Sequence, residues 1–206
     1  MTGFGISKVV SLTEPRHDGG MSVEKAISLR RSVRKFSSDP LTLADISQLL
    51  WAAQGVTSPG GYRTAPSAGA LYPLEVYAVV GNVHGLSPGI YKYLPRDHAL
   101  RRIDGNDRRD ELCRAALGQT YIRDAAVVFV ICAVNERVTG KYGARGNSYV
   151  LIEVGHVAQN ISLQAVSLQI ENVVVGAFHD HDVKRILKSA PDEDPLYIVP
   201  VGHGRE

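Results

Sequence analysis

Apolar residues recur along this chain with two periods, and the switching between them outlines the elements. Ile46, Leu49, Leu50 and Ala53 follow the i, i+3, i+4, i+7 spacing of one helix face, with Thr42 and Asp45 at its start and Gly55 as its stop. Upstream, Ser22 can cap a helix whose Val23, Ala26 and Ile27 share a face. Leu74–Val80 reads as a strand, Ile90–Leu94 and Ala99–Ile103 as a hairpin about PRDH, and Ala125–Val134 as a buried central strand. Leu112–Leu117 should be helical. Ser148–Ile170 is nearly free of turn signals and apolar on more than one face, which predicts the longest helix, set between two layers or in a subunit interface. Val173–Val175, Asp182–Leu187 and Leu196–Val201 complete the pattern as strand, helix and strand. Helices and strands alternate irregularly, so the expected fold is α+β, a layered domain with a central mixed β-sheet flanked by helices.

Two segments escape both periods. Residues 1–20 read as an irregular arm, leaving 21–206 as the domain. Thr57–Pro73, TSPGGYRTAPSAGALYP, is too rich in Gly, Pro and Ser for helix or strand and longer than a mere connection needs. A length of 206 residues with 44% hydrophobic content favours one domain with a sizeable core. The charge balance, 23 basic against 21 acidic residues, argues against a general nucleic-acid surface. Cys113 and Cys132 lie far apart with no metal-type spacing, as in a reducing cytosol, and a cytoplasmic location is expected. The longest unbroken apolar run, ten residues at 125–134, is about half of the ~20 that cross a bilayer.

The basic charge concentrates in SLRRSVRKF, residues 28–36. Helical spacing would place Arg30 and Arg34 on one face with the Ser32 hydroxyl nearby, a donor set suited to a phosphate monoester because guanidinium offers forked donors. The plainer reading is a solvated helix end whose cations complement the C-terminal dipole. Neither G-x-x-x-x-G-K nor a G-x-G-x-x-G after a strand competes for a phosphate.

Several segments in a fixed order carry a resemblance: RRSVRKF (30–36), APSAGALYPLEVY (65–77), LGQ (117–119), KYGARG (141–146), LIEVGHVAQN (151–160), VGAFHD (175–180) and PLYIVPVG (195–202). Together they resemble the FMN-dependent nitroreductase superfamily, and within it the SagB-type dehydrogenases that oxidise azolines to azoles in modified peptides. The resemblance implies a nitroreductase-like three-layer fold, a homodimer with two FMN sites at the subunit interface, and an oxidoreductase. Arg30 and Ser32 would bind the phosphate and ribityl chain, with Arg31 as a helper and Arg205 as a second phosphate cation. Arg34 would lie by the N1–C2 edge of the ring, where negative charge collects on reduction. Pro66, Ser67 and Ala68 would reach the flavin of the partner subunit. Gln119 is either a contact to the pyrimidine edge or a helix-terminating residue; Gly176 and Ala177 match the backbone that meets N5 and O4. Many nitroreductases carry Asn-x-Gln-Pro where this chain has Ala70–Pro73, which favours the SagB-like branch.

Lys141 and Tyr142 match the pair that assists proton removal in azoline-oxidising enzymes, although an exposed loop remains the alternative. A lysine serves as a base only where desolvation or nearby cations hold it neutral, and Arg145 is four residues on. His179-Asp180-His181-Asp182 resembles a metal motif, but adjacent residues rarely converge on one ion, and Asp180 is expected to cap a helix instead. His156 is expected to be a hydrogen-bonded packing residue. The rivals are an NAD(P)H-dependent nitro- or quinone reductase and a non-catalytic flavin-binding protein. No further domain for recognising a leader peptide is visible, so a small-molecule substrate is expected as readily as a modified peptide.

Overall fold

The computed structural model describes residues 9–205. Its centre is a pair of antiparallel strands, β3 (Leu74–Val80) and β7 (Val127–Ala133), in register from Leu74↔Ala133 to Val80↔Val127. Their side chains alternate between faces with the strand period of two. Val76, Ala78, Val80, Phe129 and Ile131 feed one core, while Tyr77, Val79, Val128, Val130 and Cys132 feed a second. Both faces are therefore covered, which explains why 125–134 reads as an unbroken apolar run.

Five more strands extend this centre: β1 (Val9–Ser11), β5 (Gly89–Leu94), β6 (Ala99–Asp104), β8 (Glu171–Asn172) and β9 (Asp194–Gly202). The order is β1-β6-β5-β3-β7-β9-β8, with antiparallel neighbours throughout. The parallel component comes from Ser32 bridging Asn172 at the β8 edge and from a separate two-strand pair, β2 (Leu41–Thr42) with β4 (Val83–His84). The supposedly irregular arm is thus in part a strand, since Val9–Ser11 pairs with Ala99–Arg101; residues 1–8 lie outside the described residues.

Helices α2 (Leu43–Gln54) and α6 (Arg145–Ser167) cover the first core. α2 begins with a capping box: the Thr42 hydroxyl accepts from Asp45 N (3.2 Å) while Thr42 N donates to Asp45 Oδ2 (2.9 Å). Helices α3 (Arg109–Ala115), α4 (Tyr121–Asp124) and α7 (Asp180–Leu187) cover the second. Here α3 begins ahead of the expected Leu112. His179, not Asp180, occupies the N-cap of α7, and no side chain bonds there. The expected strand at 173–175 is displaced to Glu171–Asn172, with Val175 keeping a single bridge to Ile198. No helix of the described residues is long and apolar enough to cross a membrane.

Two helices bear on the site. α1 (Val23–Leu29) buries only Ala26; Val23 and Ile27 are 66% and 56% exposed, so the expected packing face is uncovered in the single chain. Helix α5 (Glu136–Tyr142) carries Lys141 and Tyr142 in its last turn, so the alternative of an exposed loop at that pair does not hold. It is anchored by buried Val138, and Gly143, at φ 56°, ends it. α5 packs on α6 at Gly146, where an added Cβ would stand 2.9 Å from the backbone N and Cα of Thr139. Gly146→Val should therefore push the two helices apart. We expect a loss of ~1–3 kcal/mol, read from the midpoint of urea denaturation; an unchanged midpoint would mean that the crossing tolerates a side chain.

Candidate functional site

The stretch Arg30–Phe36 is not helical. α1 ends at Leu29, and Arg30 takes ψ 125°, so the four-residue spacing of Arg30 and Arg34 confers no common helix face. The segment instead runs along the sheet edge, held by Val33 N donating to Asn172 O (3.0 Å) and by Ser32 bridging Asn172. Arg30 and Ser32 line a cavity of about 130 Å³ with Gly155, Ser162, Asn172 and Tyr197. Arg31 turns back onto its own helix end, donating to Ser28 O (3.1 Å) and Arg30 O (2.7 Å), and there behaves as a C-terminal cap.

Arg34 stands 6.0 Å from the centre of the Tyr121 ring, and the Tyr121 hydroxyl donates to Gln119 Oε1. Gln119 Nε2 in turn donates to Ala116 O (2.9 Å) and Ala177 O (3.1 Å). Gln119 thus closes the turn that follows α3 and ties it to the Gly176–Ala177 backbone. Gly176 is exposed, and an added Cβ would meet only Tyr197, at 3.6 Å. The C-terminal tail doubles back along 35–37, with Arg205 N donating to Lys35 O (3.1 Å), which sets Arg205 beside the basic segment. Among the described residues, the ion pairs engage none of Arg30, Arg34, Lys35 and Arg205, whereas many other cations have carboxylate partners.

The long loop and the Lys141–Tyr142 pair, far apart in sequence, meet at Gly69. A Cβ on Gly69 would stand 2.8 Å from the Tyr142 hydroxyl and 3.1 Å from Lys141 Nζ, and its φ of 64° also favours glycine. Tyr142 is held edge-to-face on Tyr149, with ring centres 5.2 Å apart. Arg145 lies over the Tyr149 ring at 5.5 Å. Pro66, Ser67 and Ala68 line a second cavity of about 310 Å³ with Tyr149, Ile152, Glu153 and His156 of α6. His156 is exposed there, contrary to the expectation of a packed residue. An exposed stripe of α6, Ile152, Gly155, His156 and Gln159 at helical spacing, runs from this cavity to the one beside Arg30. Its length is about 10 Å at 1.5 Å per residue.

The sequence pattern of the Nitroreductase family matches residues 27–203. The chain belongs to that family. A nitroreductase-type protein of Methanocaldococcus jannaschii is 48% identical over 182 residues, covering 88% of this chain and 91% of that protein. A nitroreductase-type structure from Ralstonia eutropha superposes with a TM-score of 0.84 at 29% identity, covering 96% of this chain and 90% of the other. The microcin B17-processing protein of Escherichia coli is 31% identical over 154 residues, 71% of this chain and 56% of that protein. The family consists of oxidoreductases that generally use FMN, and this nitroreductase-family chain is an oxidoreductase.

One residue of this nitroreductase-family site is not legible from sequence. Glu153 is 2% exposed; its Oε2 accepts from the Ser67 hydroxyl at 2.6 Å, and its Oε1 has no partner among the described residues. A glutamate inside a helical run reads as solvated, and no local signal marks it as buried. Burial raises its carboxyl pKa, opposed in part by the Ser67 hydrogen bond and by Arg63. A raised folded pKa means that the native state binds more protons than the unfolded chain. Stability from this group is fully present below its unfolded value of about 4.3 and is lost as pH rises through the folded value. Relative to Glu153→Gln, the wild type should therefore lose stability as pH climbs from about 4 toward neutrality. Urea titrations of both proteins across that range test this, and a difference independent of pH would refute it.

Proposed function

We propose that the chain is an FMN-dependent oxidoreductase working as a homodimer, with Lys141 and Tyr142 at the reacting position. The observation that carries the reading is the meeting of the 66–70 loop with Lys141 and Tyr142 at Gly69. Bound FMN supplies two-electron chemistry, a hydride accepted or released at ring N5. The residues present fit it. Arg30 and Ser32 offer charged and hydroxyl donors at a cavity, and Arg34 and Arg205 make no ion pair among the described residues. Gly155 leaves open space where a side chain would stand, and Gly176 leaves its backbone bare. Arg30, Ser32 and Arg205 would hold the phosphate, Arg34 would face the charged edge of the ring, and Gly176 and Ala177 would face it with backbone. Arg31, engaged with its own helix end, has the weakest geometric support.

The uncovered apolar surface supports the dimer. Leu151 and Ile152 on α6 are 61% and 53% exposed, and Val23 and Ile27 on α1 are bare as well. A second copy laid on these faces would bring Pro66, Ser67 and Ala68 toward its own ring site. The Tyr142 hydroxyl and Lys141 Nζ, both within reach of the Gly69 backbone, would then take or return a proton at the substrate. Likeness to the microcin B17-processing protein supports dehydrogenation of a cyclic C–N substrate. The higher identity to the archaeal nitroreductase-type protein favours a second reading, reduction of a nitro compound or quinone with NAD(P)H as donor.

Purified protein should be yellow and dimeric by sedimentation. Arg30→Ala and Arg34→Ala should each weaken FMN binding about tenfold or more, as expected for loss of a charge-assisted contact. Lys141→Ala should keep its colour and lose ~10²–10⁴-fold in turnover. Anaerobic addition of NADPH separates the two readings, because bleaching of the flavin marks the reductase. A colourless Lys141→Ala protein would overturn the division between binding and chemistry.

A further inference from the structure

A third cavity, of about 400 Å³, lies on the other flank of the long loop, walled by 56–63 on one side and by Ala70 and Tyr72 on the other. Two guanidiniums line it, Arg63 and Arg96, together with Gly60, Gly61, Tyr62 and Tyr72; among the described residues no acidic one does. Arg63 is half-buried. Its Nη1 donates to Gln54 Oε1 (2.8 Å), and its Cζ lies 4.5 Å from the centre of the Tyr72 ring. Among the described residues no carboxylate comes within ion-pairing distance of it. The contrast with the other sheltered cations is sharp: Lys92 meets Glu75 and Glu193, and Arg109 meets Asp107. Glu75 and Glu153 act on Arg63 only from farther away, and burial lowers its pKa. A guanidinium has five donors, and the Gln54 bond uses one. Holding a cation partly out of water without a counter-ion is unfavourable unless an anion completes it.

We infer that this cleft is a subsite for an oxyanion, carboxylate or phosphate, carried on an aromatic body. Arg63 and Arg96 would bind the charged group, and the rings of Tyr62 and Tyr72 would take the planar one. The volume suits a small molecule of that kind. Ala70 and Tyr72 belong to the same loop as Gly69, so a ligand seated here lies beside the backbone that carries the Lys141–Tyr142 contact. Its use in turnover, as an anchor for an acidic substrate or for the phosphate of an electron donor, rests on the function proposed above. Binding itself does not.

The test is titration of the ¹⁵N-labelled protein with benzoate, phenyl phosphate and neutral phenol at constant ionic strength. The amide signals of Gly60 and Gly61 and the Arg63 side-chain Nε–H signal report occupancy. Saturable shifts with an anion, and none with phenol, are expected. Benzoate alone would identify a carboxylate ligand, phenyl phosphate alone a phosphate, and both a general oxyanion site. Arg63→Gln should weaken binding at least tenfold. Arg96→Gln, at an exposed position that leaves the fold intact, should do so several-fold. Shifts that are absent, reproduced by sodium chloride, or unaffected by Arg96→Gln would overturn the inference, whatever the flavin or the turnover does.

Discussion

One hydroxyl fastens the longest loop of the molecule to its longest helix. Ser67 donates to the buried Glu153 carboxyl at 2.6 Å and accepts from Tyr72 N at 2.9 Å, so the same oxygen folds the loop on itself and moors it to α6. A segment this rich in glycine and proline would otherwise sample many conformations, and its ordering entropy must be offset by contacts of this kind. The contact sets where Gly69 lies, and Gly69 is where Lys141 and Tyr142 arrive. Loosening Ser67 would therefore disturb the position of the Lys141–Tyr142 pair, far downstream in sequence, without touching it.

The far end of the loop is held by charge. Arg137 of α5 pairs with Glu75 of β3 (2.7 Å) and donates to Tyr72 O (3.0 Å), while Lys92 of β5 joins Glu75 (3.2 Å) to Glu193. The Tyr77 hydroxyl donates to Glu193 at 2.5 Å, and burial with that carboxylate beside it drives the tyrosine pKa well above its usual value. Exposed pairs such as Arg185–Asp182 contribute little, but the buried Lys92–Glu193 pair is costly to break, ~3–5 kcal/mol when one partner is removed. The cluster links two strands, the loop end and α5, so the helix that presents Lys141 is referenced to the sheet on one side and to α6 at Gly146 on the other.

The core was legible because its signals are local. Thr42, Asp45 and the Ile46–Ala53 periodicity define α2 in sequence and in space, and the ends of β3 coincide with the expected Leu74–Val80. What escaped is set by tertiary contact. α5 has two glycines in and beside its last turn, and only the burial of Val138 and the approach to α6 make a helix of it. Val9–Ser11 becomes a strand because Ala99–Arg101 offers it an edge. The spacing of Arg30 and Arg34 misled for the opposite reason: the periodicity of α1 stops at Leu29, and the pairing of Ser32 with Asn172 pulls the chain into an extended path.

The same distinction separates the residues of the site. Those that would meet a ligand through charge or backbone, Arg30, Arg34, Gly176 and Ala177, are readable as chemistry even where their geometry was misjudged. Those that place them, Glu153, Tyr149, Arg137 and Gly146, carry no chemistry-specific pattern, because positioning depends on what lies across the fold. α6 serves both groups. Its buried side supplies Val150, Val154, Val157 and Ile161 to the core, and its exposed stripe joins the Arg30 cavity to the loop cavity. One rigid helix thereby fixes the separation of the two cavities while it also walls the first core.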